Sequence, residues 1–240
     1  MNKIDILAFG AHPDDVELAC AGTLLRHIQM GKLVGIADLT RGELGTRGNA
    51  TIREQEAADA AAKMGVVFRA NLDMRDGFFQ HNEDNTLKII QLIRSCQPDI
   101  VLANALKDRH CDHGRAARLV AEACFLSGLV KIKTYDRDGR EQAGWRPSAV
   151  YHYIQDYHIS PDFVVDISEF MEAKLDLVLA FKSQFYDPTS DEPETPISSR
   201  SFLDNLRGRA RDFGRPAGFD FAEGFTTCRY IGVRNLFDLC

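Results

Sequence analysis

The chain has 240 residues, 45% hydrophobic and 27% charged, the balance of a folded globular domain rather than a disordered segment. Lys and Arg number 29 against 35 Asp and Glu, and the resulting net charge of −6 disfavours a general nucleic-acid or anionic-membrane surface. No run approaches the roughly 18 apolar residues of a membrane span, and the first apolar stretch is too short for a signal-peptide core. A cytoplasmic protein with neither nucleic-acid nor membrane partners is expected. The six cysteines (Cys20, Cys96, Cys111, Cys124, Cys228, Cys240) form no CxxC pair and lie mostly in apolar segments, which reads as reduced thiols rather than a disulfide framework.

In chain order, residues 4–9, 33–39, 66–72 and 100–103 are short apolar, β-branched runs of strand length. Between them, 16–30, 51–64 and 83–97 carry helical periodicity. Leu18, Leu24, Leu25 and Ile28 share one face of the first helix, and Ile52, Ala57, Ala60, Ala61 and Met64 one face of the second. Gly31 and Gly65 stand where C-terminal caps belong, and Pro98 ends the third helix. A helix near 113–129 follows, then strands at 148–154 and 163–167 and helices near 168–185 and 198–213. This alternation predicts one α/β domain with a Rossmann-like, doubly wound, mostly parallel sheet covered by helices on both faces. Residues 1–130 would form the core carrying the motifs, and 131–240 would add the later elements. Asp187–Pro196 holds three of the eight prolines and four acidic residues, and reads as an exposed loop, either a plain one or a lid or subunit contact.

The chemistry concentrates in two motifs. Ala11-His12-Pro13-Asp14-Asp15-Val16-Glu17 directly follows the first strand. Pro13 disfavours a helical conformation at His12 and leads into a helix start, placing Asp14 and Asp15 in its first turn. Adjacent carboxylates must diverge, so one can ligate a metal beside His12 while the other faces what the metal binds. The plain alternative is an Asp N-cap beside a hydrogen-bonded histidine. The second motif, Asp108-Arg109-His110-Cys111-Asp112-His113-Gly114, follows the fourth strand. Its two histidines, three apart, either share a helical face or are divided between ligand and acid/base roles. In a doubly wound sheet both motifs fall at the switch point between strands 1 and 4, outside their carboxyl ends.

Two histidines and an aspartate suit a catalytic zinc with open positions for water and substrate, and the same set accepts iron(II) or another divalent metal. There is no GxGxxG after the first strand, no GxxxxGK[ST] and no GxSxG, so dinucleotide, P-loop and serine-nucleophile chemistry lack support. Arg41, Arg47 and Arg53 follow the second strand, and Arg109 and Arg115 flank the histidine motif. Such arginines suit an anionic substrate, or are ordinary solvated residues with Glu partners such as Glu54 and Glu56. His27 reads as a helix-surface residue, and His81, His152 and His158 as structural.

AHPDD after the first strand, the TRGELGTRG–TIREQEA stretch and the late HxDH resemble the LmbE-like (PIG-L) zinc-dependent N-deacetylases. QDYHISPDFVVDIS and FKSQFYDP resemble the bacillithiol-pathway branch, which removes acetate from N-acetylglucosaminyl-L-malate. The resemblance implies zinc ligands His12, Asp15 and His113, with Asp14 as general base. It further implies His110 as oxyanion stabiliser or acid, Asp112 orienting it, and Arg53 gripping a small anionic N-acetylglucosamine conjugate, to which Arg109 would also bind. It implies a homo-oligomer. One departure is Cys111, where the family usually has proline. Its backbone is freer and regains an N–H, and its thiol is expected to point away from the metal. Two other readings are an amidase of bacillithiol S-conjugates and a non-catalytic sugar- or metal-binding module, against which the spare carboxylate of Asp14 argues.

Overall fold

The computed structural model describes residues 2–239. Seven strands form one sheet in the order β3-β2-β1-β4-β5-β7-β6. They are β1 (Ile6–Gly10), β2 (Val34–Thr40), β3 (Phe68–Met74), β4 (Ile100–Ala103), β5 (Ala149–Tyr153), β6 (Phe163–Asp166) and β7 (Ala222–Thr226). The first five run parallel to their neighbours, and β7 lies antiparallel between β5 and β6. The helices are α1 (Asp15–Gln29), α2 (Ala50–Met64), α3 (Glu83–Cys96), α4 (Cys111–Leu126), α5 (Met171–Val178) and α6 (Arg200–Ala217). This is the expected single α/β domain with a mostly parallel sheet. Among the described residues no helix is long and apolar enough to cross a membrane.

β1 and β2 are buried along their whole length because each face meets a helical layer. Leu7, Phe9 and Leu39 pack on Ile89, Ile93, Leu119 and Val120 of α3 and α4. Ile6, Ala8 and Ile36 point the other way, onto Val16, Cys20 and Leu24 of α1. The chain leaves β1 toward β2 and β3, then returns to place β4 on the other side of β1. The carboxyl ends of β1 and β4, Gly10 and Ala103, therefore border one crevice, and both motifs open into it.

Two departures from the sequence reading concern the later half. The helix expected over 168–185 is a short 3-10 turn, Ser168–Phe170, followed by α5, which stops at Val178. Beyond it the Ser183 backbone N–H donates to Glu56 Oε1 of α2 at 2.7 Å, and its hydroxyl donates to Glu56 Oε2, so side-chain acceptors replace the helical ladder. Phe181 and Phe185, both fully buried, anchor this irregular segment beside α6.

β7 carries no alternating apolar pattern, because Glu223 and Gly224 interrupt it. It forms because Glu223 is satisfied inside the protein. Its buried carboxylate accepts from the backbone N–H groups of Gly22 (3.0 Å) and Thr23 (2.7 Å) on α1 and from Lys174 Nζ (2.5 Å) on α5. This pair ties the antiparallel edge to the helix that begins at Asp15. Glu223→Gln leaves a buried ammonium without its counter-charge and should lower unfolding free energy by roughly 3–5 kcal/mol in urea titrations. Replacing both partners with methionine should cost clearly less, and equal losses would show that the ion pair itself is not the source.

Candidate active site

His12 lies in a bend two residues beyond the end of β1, and its backbone N–H donates to Asp15 Oδ2 at 3.0 Å. Asp14 occupies the N-cap position of α1, but its side chain caps nothing. Its φ of 123° is a conformation that non-glycine residues avoid, costing on the order of 1–3 kcal/mol. The Arg53 guanidinium holds it there. Nη2 donates to Asp14 Oδ2 (3.0 Å) and to the Pro13 carbonyl (2.5 Å), and Nη1 donates to the Gly42 carbonyl (3.2 Å). Gly42 has φ 64°, and a Cβ there would lie 1.9 Å from Arg53 Nη1, so the close approach requires glycine. The two carboxylates diverge as their adjacency demands, and the plain N-cap reading of Asp14 does not hold.

The late motif opens α4. His110 is the N-cap, its Nδ1 accepting from the Asp112 backbone N–H at 3.3 Å, and His113 lies in the first turn. The rings of His12, His110 and His113 converge, with centroids 4.6–5.6 Å apart, and one nitrogen from each lies within 4.8 Å of the others. Asp15 joins two of them. His113 Nε2 lies 3.1 Å from Asp15 Oδ1, and His12 Nδ1 lies 3.6 Å from Asp15 Oδ2. Asn104 Nδ2 and Gln155 Nε2 also donate to the Asp15 carboxylate, at 3.0 and 2.7 Å.

The remaining ring nitrogens of His12 and His113 are held by further carboxylates, of which Asp76 and Asp108 are not among the residues expected from the sequence. His113 Nδ1 donates to Asp108 Oδ2 at 2.6 Å, and His12 Nε2 donates to Asp76 Oδ1 at 3.0 Å, with Asp112 Oδ2 at 3.4 Å. Asp108 lies within its motif, two residues before the first ring of the HxxH pair, but no spacing rule marks it as a partner of His113. Asp76 follows β3, far from either motif, and nothing local marks it. Asp112 does not reach His110 through its carboxylate. That side chain accepts from the Gly77 N–H and Arg115 Nη1, and the contact on His110 comes from the Asp112 backbone N–H instead.

The cluster has a marked excess of acid. Asp14, Asp15, Asp76, Asp108 and Asp112 surround three imidazoles, with Arg53 and Arg115 as the nearby guanidiniums. Burial opposes charge on His12, but hydrogen bonds to Asp112, Asp15 and Asp76 outweigh it and lift its pKa well above the ordinary value. Burial likewise opposes charge on His113, yet the Asp15 charge and the Asp108 hydrogen bond raise it to about 9. Burial would raise Asp15, but His113 and His12 hold it well below the usual carboxylate range. On Asp14 burial prevails over Arg53 and, with the neighbouring Asp15 charge, pushes the carboxyl up to about 7. Burial and the charges of His12 and His113 push His110 down. Two ring nitrogens flanking one carboxylate, each ring braced from behind by another carboxylate, match the donor chemistry of a divalent cation.

The cluster opens into a cavity of about 350 Å³ that reaches Leu44, Gln184, Ile197, Phe202 and Arg209. Cys111, expected to point away, lines this cavity, and the first five cysteines are free thiols. Cys240 lies outside the described residues. The five arginines noted in the sequence all have acidic partners: Arg41 with Asp73, Arg47 with Glu192, Arg53 with Asp14, Arg109 with Asp156, and Arg115 with Asp112. Glu54 and Glu56 are not the partners of Arg53. The Arg47–Glu192 contact also fastens the 187–196 loop to the segment ahead of α2. His152 Nδ1 donates to the Asn104 carbonyl, His81 pairs with Glu122, and neither joins the cluster.

A buried His/Asp cluster at the switch point of a doubly wound sheet, opening into a cavity, gives this α/β protein a donor set that fits a divalent metal. Residues 7–124 match the family model described as PIG-L, GlcNAc-PI de-N-acetylase. The diacetylchitobiose deacetylase of Thermococcus kodakarensis is 29% identical over 231 residues, covering 91% of this chain and 81% of that protein. The uncharacterized deacetylase YaiS of Escherichia coli is 30% identical over 125 residues, covering 50% of this chain and 67% of that protein. Among solved structures, the conserved protein TT1542 from Thermus thermophilus superposes with a TM-score of 0.82 at 34% identity, covering 96% of this chain and 98% of that one. The chain belongs to the PIG-L/LmbE-like deacetylases, hydrolases acting on amide bonds.

The bracing of His113 generates a measurable expectation. Asp108→Asn removes the carboxylate behind the ring while keeping its shape, and should weaken divalent-metal affinity about 10- to 100-fold in chelator-competition titrations. Unchanged affinity would mean that His113 does not ligate.

Proposed function

We propose that this chain is a divalent-metal-dependent N-deacetylase that hydrolyses the acetamide of an N-acetylglucosamine conjugate, with N-acetylglucosaminyl-L-malate as its substrate in bacillithiol biosynthesis. The observation that carries the reaction class is the pair of carboxylate-braced histidines flanking Asp15, with Asp14 clamped beside them by Arg53. His12, Asp15 and His113 would hold zinc, or iron(II) in its place. A bound cation of this kind supplies a Lewis acid for the acetyl carbonyl and an acidified water.

The chain's own groups account for the proton traffic. Asp14, held at the cavity wall by Arg53 and not spent as a helix cap, accepts the proton of the attacking water at its carboxylate. The same carboxyl can return that proton to the leaving amine. His110 accepts a backbone hydrogen bond at Nδ1, which leaves its proton on Nε2. As a neutral imidazole it then donates from Nε2 to the developing oxyanion. Asp112 acts at His110 through its backbone N–H and at His12 through its carboxylate. Arg53 serves the substrate indirectly, by fixing Asp14, and the Arg109–Asp156 pair stands at the exposed rim of the cavity.

The malate conjugate is supported by the QDYHISPDFVVDIS and FKSQFYDP likeness. The likeness to the diacetylchitobiose deacetylase of Thermococcus kodakarensis supports a neutral alternative, diacetylchitobiose, from which this site would remove one acetyl group. Homo-oligomeric assembly rests on the family likeness.

Acetate release from the two glycosides, measured side by side, separates these substrates. Exhaustive chelation should abolish turnover, and zinc or iron(II) should restore it; activity that survives chelation removes the metal from the reading. Asp14→Asn should keep its metal content but lose about 10²–10⁴-fold in kcat. Full turnover in that variant excludes Asp14 as the base.

A further inference from the structure

Three guanidiniums line the cavity, and they differ in what they touch. Arg53 is committed to Asp14 and Arg109 to Asp156. Arg209 on α6 has no acidic side chain within 4.0 Å among the described residues. Its one hydrogen bond there is a long donation, 3.5 Å, from Nη1 to the Asp156 backbone carbonyl. It is half-buried, on the flank of α6 beside Leu206, Ala210 and Phe213, which pack inward.

The protein does not leave its other shielded arginines in this state. Arg69 is paired with Glu17 and Asp38, and Arg47 reaches Glu192, Ser190 and the Phe185 carbonyl. Arg94 is satisfied by the Ser127, Leu129 and Ile132 carbonyls and the Thr134 hydroxyl. A guanidinium withdrawn from water without such partners is disfavoured, and burial does depress the Arg209 pKa, opposed at longer range by Asp156, Asp108 and Glu223. Its fork of N–H donors is matched to the two oxygens of an oxyacid. Nothing in its sequence context marks it, since α6 also carries Arg200, Arg207, Arg211 and Arg215.

We infer that Arg209 is the specificity-determining residue of the cavity and binds an anionic oxyacid group, carboxylate or phosphate, carried on the aglycone of the substrate. The inference rests on the deacetylase reading for the acetamide end and adds a requirement at the other end. A neutral disaccharide leaves this guanidinium unanswered, whereas an acidic aglycone completes it. Arg53 and Arg109, expected from the sequence to meet the anion, already have their carboxylates.

The test compares methyl N-acetylglucosaminide, N-acetylglucosaminyl-malate and N-acetylglucosamine 1-phosphate on the metal-loaded enzyme and on Arg209→Gln and Arg209→Lys. The native enzyme should favour an anionic glycoside over the methyl glycoside by roughly 10- to 100-fold in kcat/KM, expressed in KM. Arg209→Gln should collapse that ratio toward unity, and Arg209→Lys should recover part of it. A larger preference for the malate conjugate identifies a carboxylate, and for the 1-phosphate a phosphate. A native enzyme without preference, or a variant that slows all three glycosides alike, overturns the inference. Calorimetry with the deacetylated glycosides reads the same ratio without turnover. If no glycoside releases acetate, the deacetylase reading fails, while equal affinity for methyl glucosaminide and glucosaminyl-malate would refute the role of Arg209 separately.

Discussion

The structure is organised around the confinement of negative charge at the carboxyl ends of β1 and β4. Carboxylates drawn out of water near one another must be matched by positive charge or take up protons. Here the matching is done by imidazoles and guanidiniums in contact with them, and its consequences differ from residue to residue. Asp15, touched by His12 and His113, stays ionised. Asp14, one residue earlier but farther from the rings, is driven up toward neutrality despite Arg53. Adjacent residues of the same type thereby end in different protonation environments, as the proposed division between a metal ligand and a proton carrier requires.

This arrangement depends on scaffolding that surrounds it. Asp108 and Asp76 fix the ring planes of His113 and His12 from behind. Arg53 stabilises a backbone conformation at Asp14 that the residue would not otherwise adopt, and Gly42 leaves space for that guanidinium. Farther out, Glu223 and Lys174 pin α1 to β7 and α5, so the helix that begins at Asp15 is anchored along its length. Each device converts a costly local feature into a fixed position, because the cost of releasing it exceeds the cost of keeping it.

Much of this was legible in the chain. The boundaries of the five parallel strands and of the first four helices agree with periodicity and capping residues to within a few positions. β4 was placed at 100–103, where it is found. The strands of the core are buried on both faces, and that burial writes continuous apolar runs into them. β7 was not legible, because its pattern is broken by Glu223, a residue stable there only through partners about 50 and 200 positions away. The early end of α5 was not legible either: i−3 bonds replace the helical ladder at Ala180 and Phe181, and farther on Glu56 of α2 takes the Ser183 N–H.

The motif residues His12, Asp14, Asp15, His110, Asp112 and His113, and the crevice they share, were determined by the sequence itself. Local rules settle a proline after a strand, a helix start at adjacent carboxylates and a switch point in the strand order without reference to the rest of the fold. Which partner each charged group keeps was decided only in three dimensions. Asp76 is known as a brace only once β3 is laid beside β2. The arginines near the motifs prove to be paired, and Arg209, unremarkable in a basic helix, is left facing the cavity wall without an acid. Pairing is a matter of ångströms between segments distant in the chain, and electrostatic energy in a shielded site depends on those distances, not on residue type.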